Sequence, residues 1–191
     1  MRIPTNRTTP GGQRGFTLGE VLTTLGVLGV SLSLAVPSFQ QAAQSNLRAT
    51  AVNELVGTLH VARSEALARN ATIAICPSAD GQACARVPWE AGWLRFVDSN
   101  GNYRADEDET LLSTAPPIAG LGIRTSAFAT ALAFGPTGRV SSPDATPAAG
   151  DFLFCGKVGN VPPQVILVSA LGQPVLAAQR ADGRAVDCDA T

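Results

Sequence analysis

The chain begins with a polar stretch and then enters a long block of apolar and small residues. Within residues 16–39 the only ionisable side chain is that of Glu20. About 20 apolar residues, each rising about 1.5 Å along a helix, cross the hydrocarbon core of a bilayer. The block therefore predicts a transmembrane helix. Pro37, near its end, predicts a bend, because proline lacks the N–H group that a helix interior uses.

The pattern becomes amphipathic over residues 40–70. Apolar residues return every three or four positions, which is the period of a helix that packs one face against a domain. These positions are Leu47, Ala51, Leu55, Leu59, Ala62 and Ala66. Charged residues fall between them, and Asn70 is suited to end the helix. We therefore predict one helix from Thr17 to about Arg69.

From Ala71 onward the helical period disappears. Short apolar or alternating runs now lie between clusters of Gly, Pro, Asn and Ser, which is typical of antiparallel strands. Eight strands are predicted, at 72–76, 93–98, 110–113, 121–125, 131–134, 152–155, 164–169 and 174–178. The loop 136–150 is rich in Pro, Ser, Thr and Ala, and we expect it to be exposed. Residues 71–191 are therefore predicted to form a β-rich domain.

Composition limits the size and the partners of this molecule. A chain of 191 residues suits one membrane helix and one modest soluble domain. The formal net charge is −1, and it falls to −4 if the three arginines of residues 1–15 are removed. Such a charge gives no general attraction to polyanions. One histidine, His60, and the absence of a nucleophile elbow or a phosphate loop predict that the protein is not an enzyme and uses no cofactor.

Residues 1–15 carry arginines without acids, and the sequence across their end is Arg14-Gly15-Phe16-Thr17-Leu18-Gly19-Glu20. This motif ahead of an apolar helix resembles the class III signal of type IV pilins and type II secretion pseudopilins. The resemblance implies that a prepilin peptidase removes a leader at 1–15 by cutting after Gly15, and that Phe16 is then methylated. It also implies that Glu20 guides docking into a filament and that the helix loosens near Pro37.

The soluble part resembles the GspH/FimT group of minor pilins and pseudopilins. The motifs that carry this resemblance are His60-Val61-Ala62-Arg63-Ser64-Glu65-Ala66, Ala74-Ile75-Cys76-Pro77-Ser78 and Gly92-Trp93-Leu94-Arg95-Phe96-Val97-Asp98-Ser99-Asn100-Gly101. The group implies an α+β fold, in which a long N-terminal helix packs on a C-terminal antiparallel two-sheet β domain. The stretches Ala62-Arg63-Ser64-Glu65-Ala66 and Cys76-Pro77-Ser78 resemble the FimT/FimU minor pilins more than the type II secretion pseudopilin.

The expected function is that of a structural subunit in the initiating tip complex of a type IV pilus. Its partners would be other minor and major pilins, the prepilin peptidase and inner-membrane lipid. The domain at 71–191 would lie in the periplasm before assembly, with the basic leader in the cytoplasm. Two alternatives stay open: a type II secretion pseudopilin H, and a membrane-tethered DNA receptor for natural transformation.

All four cysteines follow the apolar block, which indicates an oxidising compartment. Four cysteines allow three pairings. Cys76 and Cys84 bracket a short loop, which favours a local bridge and leaves Cys155 to pair with Cys188. The spacings match no zinc site, and His60 is distant in the sequence.

A polar loop follows the predicted strand at 93–98. Its oxygen-bearing residues have the offsets of an EF-hand calcium loop: Asp98, Asn100, Asn102, Asp106 and Glu109. However, Tyr103 occupies the sixth position, where that loop uses glycine, and both flanks read as strands. We therefore favour a polar hairpin loop over a calcium site.

Some FimT-like pilins bind DNA through a C-terminal Gly-Arg-x-Arg stretch. The corresponding stretch here, Gly172-Gln173-Pro174-Val175, has no arginine. Arg180 and Arg184 remain as candidate DNA contacts, but acids outnumber bases after Val140. We therefore predict two solvated arginines on a tail and no DNA site.

Overall fold

The computed structural model describes residues 15–146, 148–157 and 162–188. The first 14 residues of the predicted leader lie outside this part of the chain. Within the described residues the helix α1 spans Leu18–Arg69 and a 3₁₀ turn lies at Trp89–Ala91. The strands are β1 Ile73–Pro77, β2 Trp93–Val97, β3 Leu111–Ala115, β4 Leu121–Thr125, β5 Leu132–Phe134, β6 Val140–Ser141, β7 Gly150–Gly156, β8 Gln164–Val168 and β9 Pro174–Ala177.

Local chemistry fixes both ends of α1. The side-chain oxygen of Thr17 accepts the backbone N–H of Glu20 at 3.3 Å and so caps the first turn. At the other end Asn70 has a φ of 53°, in the left-handed region that asparagine tolerates better than most residues. The backbone N–H of Ala71 then donates to the carbonyl of Ala66 at 3.2 Å. The predicted helix is confirmed to within one residue.

The chain divides into two compact units, Met1–Phe39 and Gln40–Thr191. In the first unit every described side chain of α1 is exposed. An 18-residue window of the helix reaches a mean hydropathy of 1.7, so by length and composition it is able to cross a membrane. Five hydroxyl groups each donate to a carbonyl of the same helix, which satisfies them without water. They belong to Thr23, Thr24, Ser31, Ser33 and Ser38.

The second unit contains two antiparallel sheets. Sheet A has the strand order β3-β2-β1-β5-β6, and sheet B has the order β4-β7-β8-β9. Neighbours in both sheets pair antiparallel, and most of the neighbouring pairs are strands that follow one another in the chain. The expected fold class, a helix packed on a two-sheet antiparallel β domain, is confirmed.

The core lies between the second half of α1 and the inner faces of both sheets. The helix contributes Leu55 and Leu59, both fully buried, and the smaller Ala51, Ala62 and Ala66, as its period predicts. Sheet A adds Ile73 and Ile75, and sheet B adds Phe152, Phe154 and Ile166. The Trp89 ring lies edge-on to the Phe152 ring, with centroids 5.0 Å apart. Burial of these aromatic and aliphatic side chains stabilises the unit.

The outer face of each sheet is covered by a loop or by the C-terminal tail. On sheet A, Leu94 and Phe96 pack with Tyr103 and Cys84 from two loops. On sheet B, Leu153 and Val165 pack with Val186 and Cys188 from the tail. In both cases a disulfide joins the cover to the sheet below it.

The expectation that loop 136–150 is exposed is wrong at several positions. Residues Val140–Ser141 form the short strand β6, which pairs with β5, and Gly150 begins β7. Ser142 is buried, and its hydroxyl lies 2.9 Å from the carbonyls of both Ala127 and Ala131. A two-residue strand is too short to show the alternating pattern by which strands are read from sequence.

Candidate functional site

The start of α1 presents the predicted processing and docking residues together. Gly15 and Phe16 precede the helix, and the Phe16 side chain is 83% exposed. Glu20 lies in the first turn, where the helix dipole favours a negative charge. Among the described residues no basic side chain pairs with the Glu20 carboxylate. This site therefore offers one unpaired carboxylate close to the predicted new terminus.

Pro37 lies inside α1, and the helix continues through it to Arg69. Its missing N–H leaves the carbonyl of Ser33 without the usual helical donor, which weakens the helix locally. The expected roles of Gly15, Phe16, Glu20 and Pro37 in processing and assembly stay predictions.

The first disulfide joins Cys76 of β1 to Cys84 across eight residues. The loop inside it folds around Asp80, whose Oδ1 accepts the backbone N–H groups of Gln82 at 2.8 Å and Ala83 at 3.2 Å. Together with the hydroxyl of Ser78, these donors lower the pKa of Asp80. Hydrogen bonds between side chains and the backbone therefore hold the loop together in addition to the disulfide.

The second disulfide joins Cys155 of β7 to Cys188, 33 residues later. It attaches the C-terminal tail to sheet B. Arg124 on β4 reinforces this attachment, because its Nη1 donates to the carbonyl of Cys188 at 2.6 Å. These are the two disulfides expected from the sequence, in which a local Cys76–Cys84 bridge leaves Cys155 to pair with Cys188.

Arg180 is not the solvated side chain that the sequence suggests. Its Nε lies 3.1 Å from Oδ2 of Asp151, and its Nη2 lies 3.4 Å from Oδ1. Asp151 is buried on β7 and also accepts the N–H of Ala181 at 3.1 Å. Burial raises the pKa of Asp151, but Arg180, Ala181 and Ser126 outweigh it and the net pKa is lowered. The hydrogen bond to Asp151 raises the pKa of Arg180.

Sequence reasoning missed this pair, although one signal was present. Asp151 is a charged residue within an otherwise apolar strand, and a buried charge needs a partner. The second DNA candidate, Arg184, lies 3.3 Å from the Asp182 carboxylate and is 79% exposed. Each arginine is thus paired with its own aspartate, and Arg180 serves to hold the tail.

The five residues of the calcium pattern lie in one loop between β2 and β3. Asp98 is buried, and its Oδ1 accepts the backbone N–H groups of Gly101 at 2.7 Å and Asn102 at 3.1 Å. Its Oδ2 accepts the N–H of Tyr103 at 3.2 Å. Tyr103 has a φ of 60°, so this bond and the packing of its ring on sheet A hold an unfavourable backbone conformation.

The remaining carboxylates of this loop also accept hydrogen bonds. Oδ2 of Asp106 accepts the side-chain N–H groups of Asn100 at 2.9 Å and Asn102 at 2.7 Å, and these donors lower its pKa. Oε1 of Glu109 accepts the N–H of Ser99 at 2.7 Å. In the described chain no group of three His, Cys, Asp or Glu side chains is placed to hold a metal ion. The arrangement is that of a hydrogen-bonded hairpin loop.

The helix has an apolar first half with one carboxylate in its first turn, and its second half packs against two antiparallel sheets. These features define the class of pilin-like proteins. The family comparison agrees with this class. The chain belongs to the family of the type II transport protein GspH, whose family model matches residues 51–172. The resemblance to the GspH/FimT group is therefore confirmed.

Individual relatives are consistent with this assignment. The chain is 38% identical over 109 residues to the pilin-like protein PilA1 of Thermus thermophilus, an alignment that covers 53% of this chain and 59% of that protein. The chain thus spans less than two thirds of the length of this relative. Two crystal structures of the type IV minor pilin FimU of Pseudomonas aeruginosa share the fold. One has a TM-score of 0.55 at 20% identity and covers 72% of this chain and 95% of FimU. The other has a TM-score of 0.51 at 22% identity and covers 70% and 97%.

Proposed function

We propose that this protein is a minor pilin, a structural subunit of the initiating tip complex of a type IV pilus. One observation carries the proposal. On a pilin fold, the apolar first half of α1 holds a single carboxylate, that of Glu20, which has no basic partner among the described residues. A carboxylate inside a membrane span costs about 2.5 kcal/mol or more unless a partner neutralises it.

Assembly supplies that partner. Cleavage after Gly15 leaves an amine on Phe16, one helical turn from Glu20. In the assembled complex the Glu20 carboxylate pairs with the amine of a neighbouring subunit, and the apolar halves of the helices pack together in place of lipid. Pairing of the two charges in this low-dielectric surrounding favours association over the free subunit in the bilayer.

The same proposal gives the location and the partners. The three arginines of residues 1–15 favour a cytoplasmic start, and two disulfides fit a periplasmic domain. The partners are other minor and major pilins, reached through the helix, together with the prepilin peptidase and inner-membrane lipid. The role is structural, in keeping with a family and fold of structural pilins.

Substitution of Glu20 tests this function. Glu20→Ala is expected to leave cleavage after Gly15 intact but to reduce co-purification with other pilins at least about tenfold, because the amine of the neighbouring subunit is then left without its partner; tenfold corresponds to about 1.4 kcal/mol. Surface pili should fall in parallel. Ser31→Ala is the matched control, since the Ser31 hydroxyl bonds only within its own helix in the described chain. Unchanged pilin recovery and piliation with Glu20→Ala would overturn the proposal.

A second candidate is the H-type pseudopilin of type II secretion. The observation that favours it is the matched family itself, which is described as a type II transport protein. Deletion in the native host separates the two: loss of pili with normal protein secretion supports the minor pilin, and the opposite result supports the pseudopilin.

A further inference from the structure

The two sheets have four edge strands, β3 and β6 in sheet A and β4 and β9 in sheet B. An open edge presents unpaired N–H and C=O groups that invite another strand, so proteins usually protect their edges. Here the protection is unequal among the four strands within the described residues.

Three of the edges are covered or polar. On β4 the N–H of Ile123 donates to Oε2 of Glu90 at 2.9 Å. On β6 the N–H of Val140 donates to the carbonyl of Ala170 at 3.2 Å. Strand β3 carries the exposed polar side chains of Ser113 and Thr114. The bonds on β4 and β6 already use backbone N–H groups that another strand would need.

The edge of β9 carries no charged side chain, and Pro174 at its start is the one protecting residue among the described residues of this strand. The N–H of Ser169 donates to the carbonyl of Gln173 at 3.3 Å, so these two form a hydrogen-bonded pair of the β8–β9 hairpin. Hydrogen-bonded and non-hydrogen-bonded pairs alternate in an antiparallel ladder. The backbone groups of Pro174 and Leu176 therefore point away from β8, towards the open edge. Proline at 174 fits this geometry, because it has no N–H to satisfy.

The side chains at this edge are apolar and exposed. Leu171 is 58%, Val175 is 56% and Leu176 is 52% exposed. No charged residue occurs anywhere within 164–179. On the face of sheet B away from α1, a groove of about 430 Å³ is lined mainly by small and aliphatic residues, among them Leu167 and Val175. An uncharged, open and apolar strand edge beside an aliphatic groove is a surface on which another strand associates.

We infer that the edge of β9 receives an extended, uncharged edge strand from a neighbouring, different pilin subunit. Pro174 is buried, whereas Val175 and Leu176 are exposed. The incoming backbone therefore pairs with the N–H and C=O of Leu176, and an aliphatic side chain enters the groove beside Val175. The inference rests on the proposed function, because assembly is what brings a neighbouring domain to this edge.

A different subunit fits the edge better than a second copy of this chain. Two β9 strands related by a two-fold axis through Leu176 would place Pro174 opposite Ala178 at both ends. Because proline has no N–H, this pairing loses one hydrogen bond at each end. A strand from another chain meets Pro174 only once and loses only one.

Leu176→Lys in the full chain, expressed in its native host, tests the inference. A charge on the edge is expected to reduce co-purification with the neighbouring pilin at least tenfold, while both disulfides and the thermal midpoint are retained. Leu111→Lys is the matched control, because Leu111 lies on β3, an edge strand of sheet A, and is 46% exposed. Co-purification of Leu176→Lys at the wild-type level would overturn the inference.

Hydrogen exchange distinguishes strand pairing from side-chain contact. The Leu176 amide is expected to exchange at least tenfold more slowly in the assembled complex than in the separated protein, and an unchanged rate contradicts strand addition. A photo-crosslinking residue at Val175 identifies the neighbour: an adduct with a different pilin supports the inference, and an adduct only with a second copy contradicts it. If Glu20→Ala abolishes assembly while Leu176→Lys has no effect, only this inference fails. Normal assembly of the Glu20→Ala variant would contradict the proposed function itself.

Discussion

The carboxylate of Asp151 shows how one side chain fixes the C-terminal tail. Asp151 is almost fully buried on β7, yet it stays ionised because Arg180 and the N–H of Ala181 bond to it. Removal of the charge would leave the Arg180 guanidinium, which is 17% exposed, without its partner. The pair therefore holds the tail to sheet B through a desolvated contact that is stronger than a surface ion pair.

Asp151→Asn is expected to destabilise the 40–191 unit by about 2 kcal/mol at pH 7, because a hydrogen-bonded ion pair is lost. The folded pKa of Asp151 is lowered, so this stability is present above about pH 4, the unfolded value. It is lost as the pH falls through the folded pKa. Urea unfolding at pH 7 and pH 3 should show the difference between wild type and variant shrinking in acid.

Asp182→Asn serves as the control for this measurement, since Asp182 pairs with the exposed Arg184 on the surface. Its effect is expected to stay below about 0.5 kcal/mol. A difference between wild type and Asp151→Asn that does not depend on pH would contradict an ionised Asp151.

A comparison of two glycines distinguishes the energetic cost of backbone strain from that of steric overlap. Gly172 and Gly183 have nearly equal φ values of 77° and 78°. A Cβ on Gly172 would overlap the carbonyl oxygen of Gly138 and press on the Phe134 ring, whereas a Cβ on Gly183 meets nothing within 4 Å. Gly172 thus lies where the β8–β9 turn meets sheet A.

Gly172→Ala is therefore expected to destabilise the unit by about 3 kcal/mol or more, and Gly183→Ala by about 1 kcal/mol, the cost of a left-handed alanine alone. Parallel denaturation curves of both variants provide the comparison. Equal losses would show that the contact with Gly138 is not maintained in solution.

At the scale of elements, the second half of α1 links the two sheets. Its buried face contacts sheet A and sheet B in one continuous core, while Val61 on the other face is 46% exposed. A single leucine on the buried face therefore supports both sheets, and its loss leaves a cavity between them.

Leu59→Ala is expected to lower the free energy of unfolding by about 2–5 kcal/mol, because Leu59 is fully buried. Val61→Ala should change it by less than about 0.5 kcal/mol. Guanidinium unfolding of the two variants tests the difference, and a small loss for Leu59→Ala would mean that the helix is not docked as described.

At the scale of the whole molecule, two disulfides join covering segments to the sheets. One closes eight residues on sheet A and the other closes 33 residues on sheet B. The longer loop restricts the unfolded chain more. Stability should therefore depend more on the Cys155–Cys188 bridge.

Replacement of both cysteines by serine is expected to cost about 2.5 kcal/mol for Cys76–Cys84 and about 3.7 kcal/mol for Cys155–Cys188. Unfolding of both double variants, with oxidised wild type as the reference, measures this order. A larger loss for the shorter loop would assign the main stabilisation to contacts in the sheet A cover and not to chain entropy.

Most elements of the fold could be predicted because their signals are local. The apolar block, the helical period from Leu47 to Ala66 and the stop at Asn70 all act within a few residues. The eight predicted strands lie where strands occur, since each run is bounded by turn residues. Strand β6 was missed because two residues show no period.

The candidate sites also differ in whether the local sequence indicates them. Glu20 stands out in sequence, because one acid among apolar residues is visible without any structure. The pairing of Arg180 with Asp151 crosses 29 positions, and no local pattern indicates it. The oxygens of Asp98 and Asp106 match a calcium pattern in sequence, but only their positions in space show N–H groups bonded to them.

The sequence by itself determined the order of helix and strands and the single charge in the apolar helix, because hydrophobic period and composition are properties of neighbouring residues. Only the tertiary structure decided which strand edges are open, which cations are paired and which face of sheet B the tail covers. These features depend on contacts between residues far apart in the chain, and such contacts arise only when the two sheets close around α1.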